Sequence, residues 1–207
     1  EIALSRLTGC HVHIAHVSTK LAIDHIRRAK KEGLPVTAEV TPHHLFLTDE
    51  KLISYDTHCK MAPPLRTKED TLALQDALAD GTIDIIATDH APHTSAEKDC
   101  PLAEAAFGIT GLQTAIALTL KLVFDNKITL TRWAESLTSQ PAQILKIPHG
   151  SLKKGSEADI AIIDPKQKWS FDTESNLSKS LNSPFIDNEF KGKVIYTLLE
   201  GEVVYES

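Results

Sequence analysis

The chain has 207 residues, 42% hydrophobic and 24% charged, with a net charge of −6, which suits one sizeable core with a small appendage. Its charges of both signs are scattered, which argues against a nucleic-acid-binding patch, and no apolar run reaches the roughly 18 residues that a membrane helix needs. Three cysteines, an odd number outside any Cys-x-x-Cys pair, predict a reduced, cytoplasmic protein.

The chain up to residue 150 alternates strand-like and helix-like segments. "EIALSRLTG" predicts a helix that ends at Gly9, and its start at Glu1 without methionine predicts a segment of a longer protein. Three units follow: "HVHIAHV" with "STKLAIDHIRRAKKEG", "PVTAEVT" with "TKEDTLALQDALADG", and "IDIIATDH" with a long loop to about Gly108 and the helical "TGLQTAIALTLKLVF" and "TLTRWAESLTSQPAQIL". This alternation predicts an α/β fold with a parallel sheet or barrel, and three units are too few to close a barrel.

After Gly150 the pattern becomes β-like. "ADIAIID", "KVIYTLLE" and "EVVYES" are separated by stretches rich in Pro, Gly, Ser and Asn, and Leu199–Glu202 suits a tight hairpin. We therefore expect two parts, a catalytic barrel portion over residues 1–150 and a small β domain over 151–207.

Histidines and an aspartate follow the predicted strands. Barrel enzymes place their chemistry at the C-terminal ends of strands, where His16, His43, His44 and Asp89 occur. Asp89 in "ATDHAPHT" can bind a metal and move a proton, and His93 can donate to an anionic group. For an isolated Asp-His pair a turn cap with solvated histidines is the alternative, but the other strand-end histidines favour function.

The stretch "HVHIAHVST" contains three histidines, of which one is among these candidates. Alternation along a strand places His11 and His13 on one face and His16 on the other. We expect His11 and His13 to be structural histidines with hydrogen-bond partners, because only the last position reaches the mouth of a barrel. His16 is therefore the candidate metal ligand.

Three further features are ambiguous. His43 and His44 are adjacent and diverge, so at most one of them faces a site. Arg66, after a double proline, suits a substrate carboxylate, but a surface ion pair explains it equally well. The glycines of "FGITGLQT" allow a ligand to approach the backbone, although an ordinary helix start fits them better.

Together the motifs resemble a known family. "HIAHVSTK", "TPHHLFLTD", "KMAPPLR", "IIATDHAPHT" and "FGITGLQT" are similar, in order and spacing, to the C-terminal half of bacterial type I dihydroorotases of the amidohydrolase superfamily. The resemblance implies the C-terminal part of a zinc-dependent (β/α)8 barrel, about three βα units, and interconversion of N-carbamoyl-L-aspartate and dihydroorotate in pyrimidine biosynthesis.

The resemblance also implies residue roles. His16 resembles the zinc-binding histidine at the end of the sixth strand, and Asp89 the eighth-strand aspartate that binds zinc and acts as general acid and base. His93 resembles the histidine that holds the substrate carboxylate. Phe107 and Gly108 resemble the loop whose backbone contacts the pyrimidine ring.

Two positions depart from the family pattern. Ala62 stands where the family has a substrate-binding Asn, so Arg66 or backbone would have to compensate, and Gln113 stands where Glu is usual. Ala at position 62 is associated with allantoinases, whereas "TPHHL" and His93 favour a dihydroorotase. A third alternative is a non-catalytic dihydroorotase-like subunit that scaffolds aspartate transcarbamoylase.

The resemblance implies partners beyond the substrate, namely a second copy in a homodimer and, as a further candidate, aspartate transcarbamoylase. The complete protein would hold one or two Zn²⁺ ions. His16 and Asp89 are only two of the three or four ligands that zinc requires. The segment alone is therefore expected to bind zinc weakly or not at all.

Overall fold

The first of two three-stranded sheets in the computed structural model, which describes residues 1–207, is parallel and has the order β1-β2-β3. Its strands are β1 (Val12–Ile14), β2 (Val36–Val40) and β3 (Ile85–Ile86). The helices are α1 (Ile2–Thr8), α2 (Lys20–Lys31), α3 (Pro42–Phe46), α4 (Lys68–Asp80), α5 (Ser95–Lys98), α6 (Ala115–Phe124), α7 (Leu130–Leu137) and α8 (Ser139–Leu145). None of them is long and apolar enough to cross a bilayer.

The parallel sheet packs on helices from all three predicted units. Strand β2 lies between β1 and β3, so each outer strand keeps one unpaired edge. The largest apolar core joins the sheet to α2, α4, α6 and α7, and its members include Ile23, Val40, Leu78, Leu120 and Trp133. The expected partial α/β barrel is therefore what the chain forms.

Local signals in the sequence explain where most helices begin and end. The Thr19 hydroxyl accepts from Ala22 N at the start of α2, and the Thr67 hydroxyl accepts from Asp70 N at the start of α4. Gly81 ends α4 in the left-handed conformation, with φ 81°. These are the ends that the sequence predicts.

The single helix predicted over residues 129–145 is wrong, because the chain breaks at Thr138, with φ −130° and ψ −85°. Pro141 supplies the reason. It has no N–H for the carbonyl of Leu137, and its ring would collide with that carbonyl inside a continuous helix. Restarting the helix at Ser139 places the proline in the first turn of α8, where no such hydrogen bond is needed.

The second sheet is antiparallel and comprises β4 (Ile160–Phe171), β5 (Asn188–Leu199) and β6 (Glu202–Glu206). Glu200 and Gly201 both have positive φ, 52° and 88°, as a two-residue type I′ hairpin requires. The hairpin predicted at Leu199–Glu202 is thus present, and β4 and β5 are longer than expected. Phe171 and Phe185 share a core with the barrel portion, and the division into two domains stays a prediction.

Arg132 on α7 holds the connection from α4 to β3. Its Nε donates to Leu78 O at 3.0 Å, and its Nη2 donates to Ile83 O at 2.6 Å and Asp84 O at 2.9 Å. One side chain therefore satisfies three carbonyls on either side of the Gly81 turn. This contact ties the strand that precedes Asp89 to the helical layer.

We expect Arg132→Met to lower the free energy of unfolding by about 2–3 kcal/mol, because hydrogen bonds to a charged donor are lost and carbonyls are left unsatisfied. Urea denaturation of the two proteins measures the difference. Arg28→Met, at an exposed arginine of α2, is the control and should change stability by less than about 0.5 kcal/mol. Equal stability of Arg132→Met and wild type would contradict the assigned role.

Candidate metal centre

His16 and Asp89 come together above β2, one from the end of β1 and the other from the end of β3. His16 Nε2 lies 3.6 Å from Asp89 Oδ1, and both side chains are a little over one quarter exposed. Both backbones are left-handed, with φ 51° and 47°. Two ligands about 2.1 Å from a tetrahedral ion are about 3.4 Å apart, so this separation suits a shared metal.

Glu39 on β2 stands behind this pair and was missed by the sequence analysis. Its side chain is 11% exposed, and its two carboxylate oxygens face two histidines. His13 Nε2 donates to Oε2 at 2.9 Å, and His16 Nδ1 lies 2.7 Å from Oε1. Glu39 therefore lies between the two imidazole rings.

The expectation that strand alternation would turn His16 away from His13 is wrong, since both reach the same carboxylate. The strand ends at Ile14, and the positive φ of His16 reverses the alternation that a continued strand would impose. The other part of that expectation holds. His11 and His13 are structural, with Nε2 of the first and Nδ1 of the second bonded to the Thr37 hydroxyl at 2.9 and 2.8 Å.

The donor set fits one side of a zinc site. A metal-binding histidine usually has a carboxylate, a backbone carbonyl or a water at its second ring nitrogen, and Glu39 takes this position at Nδ1. That nitrogen is buried and, despite the short distance, not aligned for a hydrogen bond with any group. His16 Nε2 is left facing Asp89. The chain brings no third ligand to this pair, and its one three-residue cluster of possible ligands is exposed, at His149, Glu157 and Asp159.

His43 and His44 are both buried on α3, near His16. His44 is fully engaged, because its Nε2 donates to Pro63 O at 2.9 Å and its Nδ1 bonds the Thr41 hydroxyl at 2.7 Å. His43 is 1% exposed, and its Nε2 has no partner. Burial, followed by the charges of His44 and His16, lowers the pKa of His43 well below its usual value. Of the two, only His43 has a buried ring nitrogen without a hydrogen-bond partner.

The loop after β3 holds His93 against Phe107 and Gly108. His93 Nε2 donates to Phe107 O at 2.8 Å, and its Nδ1 lies 3.7 Å from a Glu97 oxygen. A Cβ at Gly108 would stand 2.7 Å from both His93 Nε2 and Ala91 Cβ, so only glycine fits there. These three of the predicted substrate-binding residues are thus neighbours, and His93 must exchange a protein carbonyl for any carboxylate that it holds.

The remaining predicted positions differ in how well the geometry suits a site. Arg66 forms no ion pair, and its Nε lies 3.5 Å from Ser18 Oγ, two residues from His16. Ala62 is exposed. His90 Nδ1 accepts from the backbone N–H groups of Gly111 and Leu112, so that lone pair cannot bind a metal.

Lys98 is a second group that the sequence analysis missed. It is 2% exposed, and its Nζ donates to Thr57 O at 3.0 Å and Ala106 O at 2.8 Å. Burial lowers the pKa of this lysine, as does the nearby charge of Lys60. Lys98 thus holds the segment before Phe107 against the turn at Thr57. A lone lysine in a charged loop gives no sequence signal of burial.

Comparison with known proteins agrees with this geometry. The model of the amidohydrolase family matches residues 2–204, and the chain belongs to that family, which is generally metal-dependent. It is 48% identical over 206 residues to the dihydroorotase of Geobacter metallireducens, covering 100% of this chain and 49% of that protein. The resemblance to dihydroorotases is confirmed, and the chain spans about half the length of the curated relatives it matches.

Solved structures show the same fold. The L-hydantoinase (dihydropyrimidinase) of Arthrobacter aurescens superposes with a TM-score of 0.92 at 29% identity, over 99% of this chain and 47% of that one. An inactive dihydroorotase-like domain of a CAD-like multifunctional protein from Chaetomium thermophilum gives a TM-score of 0.72 at 25% identity, over 98% and 53%. The prediction of part of an α/β barrel is confirmed.

The buried, neutral His43 predicts that stability depends on pH. Unfolding frees a histidine with a pKa near 6.5, so below about pH 6.5 the unfolded state binds a proton that the folded state does not. The free energy of unfolding should therefore fall as the pH drops from 7 to 5, and fall less in His43→Gln. Denaturation at several pH values measures this. His25→Gln, at an exposed histidine, is the control; parallel curves for wild type and His43→Gln would contradict the prediction.

Proposed function

We propose that this chain is the C-terminal half of a zinc-dependent dihydroorotase, which interconverts dihydroorotate and N-carbamoyl-L-aspartate in pyrimidine biosynthesis. The observation that carries the proposal is the His16–Asp89 pair with Glu39 behind it, in a chain 48% identical to a dihydroorotase. The other zinc ligands would come from the half of the relatives that this chain does not span.

His16 Nε2 and Asp89 would hold the zinc. A bound zinc ion lowers the pKa of water and polarises a carbonyl. Glu39 lies against His16 Nδ1 and would hold the ring with Nε2 toward Asp89. The pair thus forms one wall of the reaction site.

Asp89 would carry the proton. In hydrolysis, water oxygen bonds to the ring amide carbon while Asp89 takes the proton from that water. The bond from carbon to the ring nitrogen then breaks, and Asp89 delivers its proton to the departing nitrogen. In the biosynthetic direction the same carboxylate receives and returns the proton in reverse order.

Substrate would be held on the other side of the site by His93 and the backbone of Phe107 and Gly108. His93 would hold the substrate carboxylate. Arg66 supports the same role, because its guanidinium is half-buried near His16 and pairs with no acid of the chain. It offers the planar donor arrangement that a carboxylate matches.

Ala62 motivates an alternative activity, an allantoinase-like cyclic amide hydrolase. The methyl group cannot form the hydrogen bond that an Asn would make to the dihydroorotate ring. Assay of the full-length protein on dihydroorotate and on allantoin separates the two activities. Turnover of dihydroorotate supports the proposal, and turnover of allantoin alone would replace it.

A non-catalytic subunit is the second alternative, since one structural neighbour is an inactive dihydroorotase-like domain. Against it, His16 and Asp89 keep ligand chemistry and lie close enough to share an ion. The proposal extends to a cytoplasmic homodimer, with aspartate transcarbamoylase as a further candidate partner. Three free cysteines are in keeping with that location.

Asp89→Asn in the full-length protein should reduce kcat by about a hundredfold or more, because the amide cannot accept the proton. Steady-state kinetics on dihydroorotate measures it. Asp125→Asn, at an exposed aspartate that pairs with Lys121, is the control and should keep wild-type kcat. Activity of Asp89→Asn near that of the control would overturn the role given to Asp89.

A further inference from the structure

Asn182 is a buried polar residue of the C-terminal segment whose side chain contacts the barrel portion. It lies between β4 and β5 and is 2% exposed. Its Oδ1 accepts from His93 N at 3.0 Å, and its Nδ2 donates to Ala91 O at 2.9 Å and Gly108 O at 3.1 Å. The acceptor and both donors of the amide are therefore used, all on residues 74 to 91 positions earlier in the chain.

The backbone of Asn182 adds a fourth bond, because its carbonyl accepts from Thr110 N at 3.0 Å. One residue of the C-terminal segment thus joins the loop that follows Asp89 to the strand-like stretch that leads into α6. These two stretches also pair directly, with Ala91 N donating to Ile109 O at 3.0 Å. The Asn182 side chain adds hydrogen bonds to both stretches beside this direct backbone bond.

The two stretches contain His93, Phe107 and Gly108, the residues that would bind the substrate in the proposed function. We propose that Asn182 is a positioning residue, which fixes the His93 backbone relative to the Gly108 carbonyl and so sets the width of the substrate-binding side of the site. This inference rests on the proposed dihydroorotase activity. The segment after residue 150 would then be part of the active site's framework.

The space between Gly108 and His93 is small. Gly108 lies so close to His93 that even a Cβ would come within 2.7 Å of the imidazole Nε2. A shift of a few tenths of an ångström in either stretch therefore changes the approach of the ring to Phe107 O, and with it the position of the donor. A misplacement of a positioned group by about 1 Å can cost about a hundredfold in rate, so loss of the amide contacts is expected to affect the reaction.

The chemistry of the three contacts requires an amide. Alanine would leave the His93 N–H and two carbonyls without their partner in a buried place. Aspartate keeps the volume and the acceptor, but it cannot donate and would place a negative charge against the carbonyls of Ala91 and Gly108. Both substitutions should loosen the loops, and Asn182→Asp does so without changing the volume of the side chain.

The test compares Asn182→Ala and Asn182→Asp with Asn176→Ala in the full-length protein. Asn176 lies in the same segment, and its Nδ2 donates to Ser178 O and Ser180 O, so its loss perturbs the segment without touching the site. The readouts are KM and kcat for dihydroorotate, bound zinc, and hydrogen exchange measured by mass spectrometry over residues 90–95 and 106–112.

Both Asn182 variants should raise KM by about tenfold or more, with a smaller change in kcat, wild-type zinc content and faster exchange in the two peptides. Asn176→Ala should match wild type in all four. A general loss of structure would instead lower zinc content and raise exchange throughout the chain. If Asn182→Ala does not fold, Asn182→Asp, which keeps the volume, decides the question.

Unchanged exchange in both peptides of the Asn182 variants would overturn the positioning role. Faster exchange with KM and kcat equal to those of Asn176→Ala would overturn its relevance to the reaction. A wild-type protein that binds zinc but does not turn over dihydroorotate would contradict the proposed function instead, and the exchange data would still decide whether Asn182 holds the two stretches together.

Discussion

The contact on which the site depends is the Glu39 carboxylate between His13 and His16. Glu39 is on the middle strand of the parallel sheet, and burying a carboxylate is costly unless polar partners surround it. His13 supplies a hydrogen bond at 2.9 Å, and His16 Nδ1 lies 2.7 Å from the other carboxylate oxygen. These two rings surround the acid in the sheet, and in the proposed site the acid would hold His16 with Nε2 toward Asp89.

The rest of the fold supplies fixed strand ends on either side of Glu39. Helix α2 begins at Lys20, four residues after His16, with Thr19 capping it, and Val17 N donates to Glu39 O at 2.9 Å. On the other side, the loop after Asp89 is paired to the stretch before α6 and closed by a residue from the C-terminal segment. The backbone positions of the candidate centre therefore follow from the packing of the strand ends and loops around it.

Local signals in the sequence predict much of this fold and part of the site. Threonine caps, Gly81 and the Glu200–Gly201 turn act within a few residues, and His16 and Asp89 are recognisable because they end strands. The roles of Glu39 and Asn182 cannot be read in the same way. Their partners lie more than 20 residues away, and an acid in a β-branched run or an asparagine in a Ser-rich loop looks ordinary.

The most direct test of the central claim is anomalous diffraction at the zinc edge from crystals of the full-length protein. The account predicts a zinc peak about 2.0–2.2 Å from His16 Nε2 and from an Asp89 oxygen, with Glu39 still beside His16 Nδ1. A zinc ion bound without His16 and Asp89, or at the exposed His149 cluster alone, would contradict it.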